Sequence, residues 1–134
     1  KAGEVELLRA HIVCPGKYII LVAGTVSQVN AAIEAGQKVA PEVVVDHFVL
    51  PNVHPSIFPA LTATTEIEVV KAVGVIETFT LAASIVAADI AVKAAPLQLM
   101  EIRLPFAMGG KAFVVMTGEV SAERNVRSPR VRTP

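Results

Sequence analysis

Two stretches of this 134-residue chain repeat, and that repeat limits its fold more than any other feature. Lys1-Ala2-Gly3-Glu4-Val5 aligns with Lys93-Ala94-Ala95-Pro96-Leu97, a shift of 92. Gly16-Lys17 aligns with Gly110-Lys111, and Gly24-Thr25-Val26-Ser27 with Gly118-Glu119-Val120-Ser121, each a shift of 94. The difference is a two-residue insertion in the second of two turns. Similar segments recurring in this way mark a tandem duplication. The fold must therefore be one in which strand, turn, strand and helix start occur twice.

The local pattern supplies the elements. Val5–Val13 reads as a strand with imperfect alternation, Pro15-Gly16 forces a turn, and Tyr18–Ala23 reads as a second strand. Tyr18–Ala23 is apolar on both faces, which predicts a central position in its sheet. Thr25 or Ser27 is the expected N-cap of a helix whose stripe is Val29, Ala32, Ile33, Gly36, Val39 and Ala40, ended by Pro41. Val43–Leu50 predicts a third strand. Pro51-Asn52-Val53-His54-Pro55 and Pro59 predict an irregular connector reaching about Ala63. Beyond it, Glu66–Val70 reads as extended, Ala72–Thr78 as a strand and Leu81–Ala95 as an Ala-rich helix closed by Pro96. Leu97–Leu104 and Ala112–Thr117 read as strands on either side of a turn through Gly109-Gly110. The fold class is α/β in the α+β sense: antiparallel sheet with flanking helices.

The repeat also exposes gaps. The first copy lacks a counterpart of Val73–Ala95, and Lys1-Ala2-Gly3 reads as the end of such a helix, with Gly3 just past it. The second copy has no counterpart of Val26–Leu50, because Ala122–Arg130 has no apolar period. The expected organisation is the back half of one unit over residues 1–63 and the front half of the next over residues 64–121. A basic tail follows over residues 122–134, and its composition fits disorder. A natural extension, an expression scar and a shifted reading frame all give such a tail.

Charge and composition narrow the function. Twelve basic and twelve acidic residues give zero net charge, against the basic surface that a general nucleic-acid binder needs. The imbalance is local: Arg124, Arg127, Arg130 and Arg132 against Glu123 give Ser121–Pro134 a charge of +3, leaving −3 on the remainder. No apolar run has the length of a membrane span, and no secretory signal is expected at the start. Ala and Val dominate the apolar residues, which suits close packing of backbones and subunits. Cys14 is the only cysteine. It excludes an internal disulfide and leaves a buried thiol, a reactive thiol or a ligand shared between chains, in a compartment expected to be cytosolic and reducing. His11, His47 and His54 have no metal-ligand spacing. Glu77 and Asp89 have no evident catalytic partner and read as packing and edge residues. Gly109-Gly110-Lys111 lacks the rest of a phosphate loop. A small enzyme is the least expected class.

With the repeat in view, the chain resembles the bacterial microcompartment shell family, built from BMC domains. Ala72-Val73-Gly74-Val75-Ile76-Glu77-Thr78 is similar to the family's opening strand. Ala87–Ala95 is similar to its first helix, with Lys93 as the edge lysine, and Val49–Pro55 to its closing strand and exit. Ile12-Val13-Cys14-Pro15-Gly16-Lys17 resembles the turn of tandem-domain trimeric shell proteins of the propanediol-utilisation type. The resemblance implies a small sandwich per unit, with three tandem chains forming a homotrimer, a flat pseudo-hexameric tile within a shell in the cytoplasm. It also implies partners: other shell proteins, and an encapsulated redox enzyme as a further candidate, with no nucleic acid and no membrane.

In that subgroup the hairpin turns face the axis, and three copies of Cys14 are taken to hold one [4Fe–4S] cluster with one iron lacking a protein ligand. Val13, Cys14, Pro15, Gly16, Ala107, Met108 and Gly109 would line the axial opening, and Lys93 would sit at the tile edge. Lys17 would tune the thiolate, a role to set beside that of a solvated strand-end lysine, and His11 is as readily a surface strand residue as a neighbour of the cluster. A lone cysteine is more often a small buried hydrophobe; the turn-tip position and the family match favour the ligand. The alternative is a tile with a small-molecule pore and no cluster.

Overall fold

The computed structural model describes residues 3–13, 16–103 and 111–119. Strands β1 (Glu6–Val13) and β2 (Lys17–Ala23) form a two-stranded antiparallel sheet. Helix α1 (Val26–Val39) follows, then a 3-10 turn at Pro41–Val43 and a short helix α2 (Ile57–Thr62). Strand β3 (Ala72–Thr78), helix α3 (Leu81–Ala94), β4 (Leu97–Arg103) and β5 (Ala112–Gly118) complete the described chain. The second sheet has the order β3-β5-β4, antiparallel throughout.

The duplication is visible in the hydrogen-bond register. In β4–β5, Leu99 lies opposite Met116, the register then slips, and Glu101, Ile102 and Arg103 lie opposite Val115, Val114 and Phe113. In β1–β2, Leu7 lies opposite Val22, the register slips, and Arg9, Ala10 and His11 lie opposite Leu21, Ile20 and Ile19. Shifts of 92 and 94 carry one set onto the other, bulge included. A bulge bends and twists its strand, so both hairpins inherit the same local bend.

The core lies between α3, α2 and the inner face of β3-β5-β4. Leu81, Ile85 and Ala88 of α3 meet Leu99, Ile102, Val114 and Met116 of the sheet, all at most 8% exposed. Full burial of each branched side chain stabilises by about 1.5–3 kcal/mol. The small side chains of α3 allow this close approach: Ala88 is fully buried and Ala91 nearly so. Thr80 caps α3, its Oγ1 accepting from the Ala83 N–H at 3.1 Å and donating to Asp46 Oδ2 at 2.9 Å. Its C-terminus falls just before Pro96, which cannot continue a helix.

Helix α1 forms for a different reason. Of the two candidate caps the structure uses Thr25, in a reciprocal capping box with Gln28. None of its fourteen residues is buried, and Val39 is 85% exposed. The expected apolar stripe is only partly covered: Val29, Ala32, Ile33 and Ala40 are half-buried, while Gly36 and Val39 are exposed.

Three expectations need correction. Val43–Leu50 is not a strand: a 3-10 turn ends at Val43, and residues 44–50 have no ladder partner among the described residues. Its β-branched run satisfies propensity, but a strand needs a paired edge; Phe48 and Leu50 pack against the core instead. The connector is not irregular throughout, because α2 forms within it. Pro59 sits in the first turn of α2, where a missing N–H costs nothing, and Ile57, Ala60 and Leu61 bury beside β4. Ala63, at φ 54°, ends that helix in the left-handed region, and the Thr64 N–H bonds back to the Pro59 carbonyl. Finally, β2 is not central. It is one of two strands, with Tyr18 and Ile20 more than 60% exposed and only Ile19 and Leu21 turned towards the core.

Candidate functional site

The turn between β1 and β2 is built from a tight pairing. Val13 and Lys17 lie opposite each other, so three positions close the hairpin. Gly16 has φ +74°, a left-handed conformation that glycine adopts readily, and among the described residues no atom beyond its chain neighbours stands within 4 Å of where a side chain would begin. Val13, on the strand side, is 1% exposed in the single chain, while Lys17 is half-buried. The tip is thus anchored at its base and opens to free space at Gly16. Cys14 and Pro15 lie outside the described residues, as do Ala107, Met108 and Gly109 of the second turn. Lys111, the repeat counterpart of Lys17, lies 3.8 Å from Glu77 Oε1 and 5.9 Å from the centre of the Phe79 ring.

Among the described residues no three His, Cys, Asp or Glu side chains gather as a metal site. His11 lies in β1 opposite Ile19, His47 lines an open groove with Gln37 and Val45, and His54 is in the connector. On β4 the Glu101 carboxylate accepts from Arg103 at 2.8 Å and raises the guanidinium pKa above its ordinary value, by hydrogen bond first and charge second. That pair sits in β4, where the Arg103 guanidinium also lies 5.7 Å from the centre of the Phe113 ring.

The second feature is a clamp at the end of α3. The Lys93 ammonium pairs with Asp89, four residues back on the same helix, and donates to the Asn52 carbonyl at 2.8 Å. Asp89 is buried, and its other carboxylate oxygen accepts from the His54 backbone N–H at 2.8 Å. Asn52 presents its carbonyl from a left-handed turn at φ 53°, a conformation that asparagine tolerates better than most residues. The clamp fixes the 52–56 loop to the helix and leaves the Lys93 side chain 42% exposed. Sequence reasoning picked out Lys93 and read Asp89, with Glu77, as packing and edge residues. The Asp89–Lys93 spacing signals a helical ion pair, whereas the backbone partners Asn52 and His54 carry no side-chain signature.

Comparison with known proteins agrees with this architecture. The sequence pattern of the BMC domain matches twice, over residues 1–53 and 72–125. Over 125 residues the chain is 40% identical to the bacterial microcompartment shell protein PduT of Citrobacter freundii, covering 93% of this chain and 68% of that one. A solved microcompartment protein of Desulfitobacterium hafniense DCB superposes with a TM-score of 0.85 at 48% identity, covering 94% of this chain and 71% of its own. No helix among the described residues is long and apolar enough to cross a membrane. Twice-matched domain, repeated hairpin register and shared fold lead to one conclusion: this chain belongs to the BMC-domain family and is a bacterial microcompartment shell protein.

Proposed function

We propose that the chain is a shell tile that assembles as a homotrimer and holds one [4Fe–4S] cluster on its axis, each copy contributing the Cys14 thiolate. The observation that supports this most is the form of the β1–β2 tip, anchored by the buried Val13 and open to free space at Gly16, beside the only cysteine of the chain. Such clusters are held by about four thiolates, so one chain cannot hold one alone. A three-fold axis makes up three ligands and leaves one iron for an outside ligand. The bound cluster would supply one-electron transfer.

The chain's own residues would do the rest. The Val13–Lys17 pair fixes the base of the turn. The Lys17 ammonium brings positive charge to that base, which favours the thiolate over the thiol. Lys93, pinned by Asp89 and Asn52, would present the edge at which tiles meet other shell proteins. The role is structural and electron-carrying, not substrate turnover; an encapsulated redox enzyme is the natural exchange partner.

The test is electron paramagnetic resonance of protein reconstituted with iron and sulfide without oxygen, then reduced. The expected signal corresponds to one cluster per three chains. Cys14→Ala abolishes it while leaving the sizing profile unchanged. A trimer that takes up no cluster would leave the alternative, a plain tile with an axial pore, and iron retained by Cys14→Ala would remove the assignment of that residue.

A further inference from the structure

We propose that Arg9 is a positioning residue for the Cys14 turn: its guanidinium ties β1 to the C-terminal end of α2 and so fixes how the first hairpin stands on the second half of the chain. The proposal deepens the cluster reading and rests on it for its purpose, not for its geometry. Arg9 Nη1 donates to the Leu61 carbonyl at 3.5 Å, across 52 residues of sequence. The bond is long, but its donor is charged. Leu61 lies in the last turn of α2, where carbonyls lack helical partners. The Ala63 N–H donates to the Ala60 carbonyl and the Thr64 N–H to the Pro59 carbonyl, which leaves the Leu61 carbonyl to an outside donor. A basic side chain suits the end of a helix. α2 is itself held, with Ile57, Ala60 and Leu61 buried beside β4.

Arg9 stands on the face of the hairpin that leads to the turn. It lies opposite Leu21 in the register, as Val13 lies opposite Lys17, and residues paired in this way share a face. Ile19 and Leu21 pack against the core, and Val13 is buried. Apolar burial holds that face down without direction; the Arg9 bond adds the direction. The two copies of the repeat differ at this place. The shift of 92 carries Arg9 onto Glu101, which lies opposite Val115 as Arg9 lies opposite Leu21. Glu101 accepts from Arg103 on its own strand, at 2.8 and 3.0 Å. The hairpin with the cysteine thus carries the anchor, and the hairpin without one pairs its charge within β4.

The test measures where the turn sits, without the cluster. Nitroxide labels are placed on Cys14 and on a cysteine introduced by Ala83→Cys, at an exposed position of α3. Double electron–electron resonance then reads the distance between them in the whole chain, diluted into unlabelled chains. One narrow distance distribution is expected in the parent. Arg9→Met keeps a long side chain and removes the donor; the distribution is expected to widen several-fold while the buried amides of β4 and β5 keep their exchange protection. Arg9→Lys restores a charged donor and is expected to narrow it again, and Glu101→Gln, the matched change in the other copy, to leave it unchanged. A broad distribution in the parent overturns the proposal. So does a narrow one in Arg9→Met, which would leave Ile19 and Leu21 to position the turn unaided. No recovery in Arg9→Lys, or equal widening in Glu101→Gln, also overturns it, since the effect would then be one of general packing. Cluster uptake is read separately, after reconstitution with iron and sulfide, and is expected to fall several-fold in Arg9→Met. Equal uptake by the parent and Arg9→Met overturns positioning for the cluster. A parent that takes up none removes the cluster reading alone, and the distances still decide whether Arg9 places the turn.

Discussion

Hairpins β1–β2 and β4–β5 carry the same slip, between Leu7 and Arg9 in one and between Leu99 and Glu101 in the other, yet they end in opposite environments. Leu99 is sealed under α3, whereas Leu7 faces solvent. Register is thus a property that the turn and the bulge set within the hairpin, while burial is set by what the rest of the molecule brings to it. The same contrast separates the helices. Both are fourteen residues long and both begin on a threonine cap, but α3 buries six residues and α1 none. The capping signal alone is enough to start a helix; it does not decide whether the helix is held.

The largest effect that tests this contrast is a pair of identical truncations. Leu99→Ala opens a cavity in a closed core and is expected to lower the unfolding free energy by about 2–5 kcal/mol. Leu7→Ala, at the matching position, is expected to change it by no more than about 0.5 kcal/mol. Urea unfolding of the two variants side by side measures both. A loss at Leu7 comparable with that at Leu99 would mean that the β1–β2 face is covered in solution, and the comparison between the hairpins would fail.

A smaller loss is expected from Asp89→Ala. This variant removes the acceptor of the His54 N–H and the buried partner of Lys93, at a cost of about 1–3 kcal/mol. Its distinctive sign is local: the amides of Asn52, Val53, His54 and Ser56 should exchange faster, because the Asp89 carboxylate ties that loop to α3. Full protection at those amides in the variant would show that α2 packing alone holds the loop, and that the clamp is incidental.

What the sequence made legible follows from the range of each determinant. β3 has the bounds expected of it, and α3 agrees to within one residue, because alternation and an Ala-rich stripe between Thr80 and Pro96 are local signals. The turn after Val13 was legible from Pro15-Gly16 for the same reason. Val43–Leu50 was misread because its β-branched run is necessary for a strand but says nothing of a partner edge. α2 was hidden by Pro59, which reads as a breaker until its place in the first helical turn is known. β2 looked central because both its faces are apolar; the structure leaves Tyr18 and Ile20 bare. At the candidate site, Lys93 was legible as a residue to single out. The Asp89 clamp was less so, because two of its partners are backbone groups of Asn52 and His54.

The smallest expected effect addresses the helices. Thr25→Ala removes a side-chain acceptor for the Gln28 N–H and breaks the capping box. Losing such a cap costs a helix about 1 kcal/mol. A fourteen-residue helix with no buried residue is already marginal, since nucleation is costly and tertiary packing usually supplies most helical stability. The first turn of α1 should therefore fray, seen as faster amide exchange over Val26–Val29, while the urea midpoint of the whole chain stays within error. Thr80→Ala is the control. It removes the cap of α3 and the bond to Asp46 together. Because α3 is part of the core, that loss must be felt by global unfolding and should lower the midpoint. If Thr25→Ala lowers the midpoint equally, α1 is packed against something in solution, and the difference between a started helix and a held one disappears.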